Sequence, residues 1–241
     1  MTTVRIVSYS LFGANPAYAQ GALENCALVR DVLPGWTCRV HVSNRITPEV
    51  RDDLAHAGAE VVVVEQQDAY DGLYWRFLPA ADPAVDAVII RDADARLGAR
   101  EASAVAEWLD SGKPLHIMRD HPAHRRLIPA GLWGARGGAV PDMAELIAGF
   151  GREHGFASRT GDADFLERLI YPRFRGKMFV HSGFSYYPGE EPHLIPMARD
   201  GLDYLGRPAG RDEELEKRVK GLARNMGQGQ VLRPLPEWMT P

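Results

Sequence analysis

Asp92 and Asp94 stand one alanine apart in the run Val85–Arg96, Val-Asp-Ala-Val-Ile-Ile-Arg-Asp-Ala-Asp-Ala-Arg. Alternate residues of an extended chain point the same way, so the two carboxylates aim at one point. Two hard oxygen donors so placed suit Mg2+ or Mn2+, an ion commonly shared with the phosphates of a substrate. An Asp-x-Asp triplet also serves as a solvated turn or a helix cap, and its placement weighs one reading against the other. Here Val85, Val88, Ile89 and Ile90 come first, with Asp82-Pro83 as a breaker ahead of them. A near-continuous apolar run marks a strand covered on both faces, as in a parallel sheet. Ligands of open α/β sheets collect beyond the carboxyl ends of such strands. Arg91 and Arg96 flank the pair. They either take up the charge a diphosphate keeps after one cation binds, or pair with the aspartates themselves.

Arg76 sits in apolar company, Leu73-Tyr74-Trp75-Arg76-Phe77-Leu78. A partly buried guanidinium needs an anion, either the aspartates at 92 and 94, a substrate phosphate or a structural salt bridge. Ser8, Tyr9 and Ser10 end a first strand ahead of the loop Leu11–Pro16, where a base or ribose could meet them; an ordinary strand end is the alternative. No GxGxxG or Walker A pattern follows, so neither dinucleotide nor P-loop chemistry is supported. The densest polar cluster is Arg119-Asp120-His121-Pro122-Ala123-His124-Arg125-Arg126. His121 and His124 lack the cysteines or the His-Glu-x-x-His pattern of a zinc site. They are expected to contact sugar or phosphate, a basic solvated loop being the alternative.

Residues 128–140 are rich in glycine and read as a segment hugging the substrate, with Trp133 offering its face to a sugar. Asp162 and Asp164 open a helix, where acidic residues also serve as simple caps. His181, closing a late strand that begins at Lys177, is placed to add one nitrogen to an oxygen-rich metal site, with His193 in reserve.

The elements that must position these groups alternate. Strands are predicted at Val4–Ser10, Trp36–Val42, Val61–Val64 (as a buried strand) and Leu115–Met118. Helices are predicted over 18–33, from Pro48 to Gly58, over Ala99–Ser111, and as a polar helix over 212–223. A β-α-β-α-β order with short links predicts right-handed crossovers and a Rossmann-related, mostly parallel α/β sheet flanked by helices. The 241 residues are read as one domain. Its nucleotide-binding half ends near residue 98, residues 99–190 shape the acceptor and donor-sugar half, and 191–241 form an irregular wrap and helix. A net charge of −4 makes no case for nucleic acid. No apolar stretch reaches the ~20 residues that span a bilayer. The first residues lack a signal-peptide core, and two cysteines cannot define a disulfide framework, so a cytoplasmic setting is expected.

Taken together, these residues resemble the GT-A class of nucleotide-sugar glycosyltransferases. Val88-Ile89-Ile90-Arg91-Asp92-Ala93-Asp94 is similar to the family's metal motif. Thr160-Gly161-Asp162-Ala163-Asp164-Phe165-Leu166 resembles the Asp-Gln-Asp-x-Leu segment of retaining members, with Ala163 in place of Gln. Phe179-Val180-His181 stands where the late His ligand does. Residues 74–78 and 116–122 look like segments of small bacterial glycosyltransferase domains, and the resemblance covers about residues 4 to 185.

It implies a UDP- or GDP-linked sugar donor, Mn2+ or Mg2+, and a hydroxyl acceptor such as a bacterial surface glycan. Asp92 and Asp94 would hold the ion, and Arg76 and Arg91 would stabilise the leaving diphosphate. Asp120 with Asp162 or Asp164 would orient hydroxyls or act as base, and the resemblance leans to retention. A nucleotidyltransferase, a phosphatase and a non-catalytic sugar-binding domain are the competing readings. A phosphatase of the haloacid dehalogenase type carries its Asp-x-Asp on the first strand, whereas here it follows about the fourth.

Overall fold

The structure, a computed structural model, describes residues 3–200, 203–210 and 230–239. The helix expected over 212–223 lies outside the described residues. Strand β1 (Arg5–Leu11) enters α1 (Pro16–Val32), where the Asn15 side chain accepts the Ala17 N–H at 3.1 Å and Pro16 occupies the first turn. Then come β2 (Trp36–Ser43), α2 (Pro48–His56), β3 (Glu60–Val64), the single turn α3 (Gly72–Trp75) and β4 (Ala87–Arg91). The chain continues through α4 (Ala99–Ser111), β5 (Leu115–Arg119), β6 (Leu132–Arg136), α5 (Met143–His154) and α6 (Gly161–Phe165). A π-helical turn at Leu166–Ile170 leads into α7 (Tyr171–Phe174), with Pro172 in its first turn, and then come β7 (Met178–Ser182) and the short strands β8 (Ser185–Tyr186), β9 (Pro192–His193) and β10 (Val231–Leu232).

Eight strands form one sheet in the order β3-β2-β1-β4-β6-β5-β7-β9, and β8 pairs with β10 apart from it. All pairings in the large sheet are parallel except those of β6, which runs antiparallel between β4 and β5. The mostly parallel α/β sheet is thus as the strand order predicts. Two cores cover its faces, and the two-residue period of each strand sorts side chains between them. Ile6, Val88, Ile90, Ile117 and Val180 join Phe77, Trp133 and Phe165 on one face. Val7, Tyr9, Leu11, Ile89 and Phe179 meet α1 and Trp108 of α4 on the other.

Two elements differ from expectation. The glycine-rich segment 128–140 contains β6, a strand in the middle of the sheet. Its small residues Gly134 and Ala135 let it pack between β4 and β5, beneath Trp108 and against Val88. The run Val61–Val64 is the sheet's edge and not an interior strand; Val63 is 51% exposed. Apolar content alone cannot separate an edge from a centre, because that depends on strand order. Among the described residues no helix is long and apolar enough to cross a membrane.

Candidate active site

The sheet's order reverses at β1 and β4: β2 and β3 follow on one side, β6 and β5 on the other. Beyond the carboxyl ends of β1 and β4 opens a cleft of about 810 Å³, at the switch point where open sheets receive ligands. The end of β1 brings Ser10 to it, the segment after β1 brings Phe12 and Asn15, and α1 adds Tyr18. Asp92 and Asp94 enter from the end of β4, His124 and Arg126 from the segment after β5, and Arg159 and Asp162 from α6 and its approach.

At the floor Arg76 joins two carboxylates. Its Nη1 donates to Asp92 Oδ1 and, at 3.0 Å, to the Arg91 carbonyl; its Nη2 meets Asp162 Oδ2 at 2.9 Å. Asp162 Oδ1 accepts the Ala163 N–H at 2.8 Å. Burial works against the Arg76 charge, and Asp92 with Asp162 more than offsets it, so the guanidinium is held above its ordinary value. Burial raises the Asp162 carboxyl; Arg76 pulls it down and Asp92 pushes it further up. Arg76 is therefore the point at which α3, β4 and α6 are tied together.

Asp92 and Asp94 both line the cleft, but from a turn closed by the Ala95 N–H on the Asp92 carbonyl at 3.3 Å and not from an extended chain, and Ala93 and Ala95 between and after them are buried. The loop they occupy is pinned from α1. Asn25 donates to the Ala95 carbonyl at 2.8 Å and accepts the Leu97 N–H at 3.2 Å. Gly21 lies so close to the Ala93 carbonyl that a Cβ would overlap it. Among the described residues Asp94 makes no ion pair, and burial followed by the neighbouring Asp92 raises its carboxyl above the usual range. A cation between the pair relieves both effects. Gly131 also faces this point, and a Cβ there would overlap the Asp92 carboxylate. Gly131→Val is therefore expected to displace the Asp92 carboxylate from Arg76 with the far-UV circular dichroism unchanged; a crystal structure of the variant checks it.

The remaining sequence candidates fall elsewhere, and strand period explains most of them. Arg91, one residue before Asp92, faces the opposite core, where it pairs with Glu101 of α4 and donates to the Trp133 carbonyl at 2.8 Å. It is not at hand for a phosphate. Arg96 pairs with Glu24 of α1 and does not line the cleft. Ser8 and Tyr9 are fully buried within β1, and Ser10 is the residue that reaches the cleft. Trp133, expected beside a sugar, is sealed in the core edge-on to Phe77, 5.4 Å between ring centres.

Asp120, expected as a catalytic carboxylate, is consumed by structure. It binds Arg100 of α4, Arg199 at 3.0 Å and the Leu205 N–H at 2.9 Å, which hold its pKa low against the effect of burial. Asp164 lies two residues from Asp162, about 200° around the helix, and points to Arg126 at 2.8 Å. His121 stacks on Tyr204, 4.2 Å between centres, and does not line the cleft.

His181 shares the α4 face of β7 with Phe179. There it bonds His116 at 2.8 Å and Glu107 at 3.0 Å, and it does not line the cleft. His193 stacks on Phe179 at that edge, 4.3 Å between centres. Neither histidine joins Asp92 and Asp94. Among the described residues no group of three His, Cys, Asp or Glu side chains could hold a metal by itself.

Phe12, Tyr18, Tyr70 and Arg159 line the cleft and were not singled out in the sequence. The Gly13–Pro16 turn after β1 is the signal for the first two. Tyr70 and Arg159 come from irregular segments without one.

No protein-family model and no curated protein matches the sequence. Solved structures do. The galactosyltransferase LgtC, in complex with donor and acceptor sugar analogs, superposes with a TM-score of 0.51 at 14% identity over 98% of each chain. An active-site mutant of LgtC matches with a TM-score of 0.50, 14% identity and the same coverage. A glycosyltransferase that acts in glycosylation of the major capsid of PBCV-1 is similar over 77% of this chain and 84% of its own, at 13% identity and a TM-score of 0.49. The sheet order, the cleft at its switch point and the two LgtC superpositions agree: the chain has the GT-A fold of nucleotide-sugar glycosyltransferases.

Proposed function

We propose that this protein is a glycosyltransferase that moves a sugar from a nucleoside diphosphate to a hydroxyl acceptor, with Mn2+ or Mg2+ held at Asp92 and Asp94. The observation that carries the reading is Arg76 tying Asp92 to Asp162 on the floor of a cleft large enough for a nucleotide sugar. The residues fit a hard divalent ion: two carboxylates line one cleft two residues apart, and burial together with the neighbouring Asp92 raises Asp94. When bound, such an ion supplies Lewis-acid stabilisation to the leaving diphosphate.

The chain's own groups do the rest. Asp92 and Asp94 bind and orient the donor's diphosphate end, and Phe12, Tyr18 and Tyr70 offer apolar faces to the rest of the nucleotide. Arg76 fixes the geometry of Asp92 and Asp162 and adds positive charge beneath the departing group. Asp162, held by Arg76 and the Ala163 N–H, accepts from a sugar hydroxyl and orients the ring. Arg159 brings a further positive charge to the rim. Among the described residues, Asp92 and Asp162 already have an ionic partner and Asp94 is given to the cation. Among the described residues the cleft thus offers no separate carboxylate base, which supports transfer with retention of the anomeric configuration. A single GT-A-type domain carries the whole site.

A panel of nucleotide sugars tests this. Mn2+-dependent thermal stabilisation by a UDP- or GDP-linked sugar, with slow hydrolysis of the same donor, is expected. Equal stabilisation without metal, or hydrolysis of generic phosphoesters instead, overturns it. Asp94→Asn keeps the size of the side chain and removes one charged oxygen. It is expected to abolish metal-dependent nucleotide binding while the melting temperature without ligand stays within a few degrees of the parent. Calorimetric titration with and without Mn2+ reads the outcome.

A further inference from the structure

All eight histidines of the chain fall among the described residues, and His124 alone of them lines the cleft with Asp92 and Asp94. Its orientation is set within its own turn. The Asp120 main-chain N–H donates to His124 Nδ1 at 3.1 Å, and the His124 N–H returns to the His121 carbonyl at 2.9 Å. A peptide N–H can only donate, so Nδ1 carries a lone pair, and the neutral ring then holds its proton on Nε2. Burial, with His121 beside it, pushes the imidazole down to about 3, which keeps it in that neutral form. Among the described residues no hydrogen bond takes the Nε2 proton.

A histidine that ligates a metal through Nε2 has the opposite arrangement, with Nδ1–H donating to a carboxylate or carbonyl. His124 is wired the other way round. No other histidine reaches the aspartates, and Cys26 and Cys38 are buried against each other between α1 and β2. Among the described residues, imidazole nitrogen and thiolate sulfur are therefore both missing as ligands for a cation at Asp92 and Asp94.

We propose that His124 presents Nε2–H to the cleft as a fixed donor for a substrate oxygen, and that the cation at Asp92 and Asp94 is held by oxygen alone. This rests on the transferase reading above and departs from the late histidine ligand that the family resemblance implies. Two consequences follow from coordination chemistry. An oxygen-only shell serves Mg2+ as well as Mn2+ and has no preference for zinc. Two carboxylates, one of them already tied to Arg76, hold an ion weakly until diphosphate oxygens join, so cation and nucleotide each raise the other's affinity by the same factor.

The full-length protein labelled with 15N-histidine supplies the first test, by long-range 1H–15N correlation at pH 7, alone and then with Mg2+ and UDP or GDP. The expected pattern for His124 is Nε2–H in every state, its proton shifting when nucleotide enters. Binding measurements supply the second. His124→Phe is expected to weaken sugar-nucleotide binding about tenfold, the loss of one hydrogen bond to a charged or hydroxyl oxygen. Its Mn2+ affinity with UDP or GDP at a concentration that saturates each variant, read by electron paramagnetic resonance, is expected to match the parent's. His124→Gln, which keeps an amide N–H near the same place, is expected to recover part of the loss and guards against a folding defect in the Phe variant.

An Nδ1–H signal, or Mn2+ affinity falling about tenfold in either variant, overturns the inference. If that occurs while the parent binds metal and nucleotide together, the transferase reading stands. A parent that binds no nucleotide with either metal removes the transferase reading and the donor role with it.

Discussion

Arg76→Met is expected to lower sugar transfer by about a hundredfold to a thousandfold, the scale of removing one group that stabilises developing charge. It is also expected to destabilise the fold by roughly 3–5 kcal/mol at pH 7, because removing one partner leaves a buried charge unmatched. The pair with Asp162 carries most of that cost, since both side chains are almost wholly buried. Asp92 is half exposed and contributes little beyond it, water screening what Arg76 no longer does.

Protonation offers the variant a way out. Burial already raises the Asp162 carboxyl in the parent, and Arg76 is the group that opposes the rise. With methionine at 76 the folded-state value climbs further above the unfolded one. Stability contributed by a raised carboxyl is full below its unfolded value, near ~4, and is lost as pH rises through the folded value. The gap between variant and parent is therefore expected to be widest at neutral pH and to close as pH falls toward 4. Urea melts at several pH values check this, and a gap independent of pH would show that Asp162 does not carry the cost.

Glu190→Gln is expected to cost a similar ~3–5 kcal/mol, equivalent to a fall of roughly 6–20 °C in melting temperature. Arg119 and Glu190 form a two-pronged pair, 2.8 and 2.9 Å, with both side chains at 0% exposure. Glu190 also accepts from Tyr171 Oη at 2.7 Å and from the Tyr187 N–H at 2.9 Å. Arg119 spends its other donors on the carbonyls of Arg126, at 3.0 Å, and Leu127. An amide in place of the carboxylate turns one accepting oxygen into a donor facing a guanidinium, inside a network where every group is otherwise met.

The effect also reaches function. The carbonyls that Arg119 grips belong to the segment carrying His124, Arg126 and Gly131 to the cleft wall. Loosening it is expected to raise KM for the donor more than it lowers kcat at temperatures where the variant remains folded. Differential scanning calorimetry and steady-state kinetics read the two parts separately.

What the sequence by itself determined is local and periodic. The apolar run ending at Ile90 set β4, the alternation of β-branched strands with amphipathic helices set a mostly parallel sheet, and the spacing of Asp92 and Asp94 set two carboxylates close together just past the end of β4. Arg76 announced itself as well, since a charge in apolar company must find a partner. These follow from geometry within a few residues, where periods of two and 3.6 hold whatever the rest of the chain does.

Only the tertiary structure decided which face each strand residue took and who waited there. Counting by two along β4 puts Arg91 and Asp92 on opposite faces, but nothing local says which face holds Glu101 and which holds Asp162. The same parity put His181 with His116 and Glu107, and put Trp133 in the core through a strand whose glycines read as a loop. Asp120 looked free until Arg100, Arg199 and the Leu205 N–H arrived from up to 85 residues away. Partners at that distance are fixed by strand order and helix packing, and those are properties of the whole buried core, which no short stretch of sequence contains.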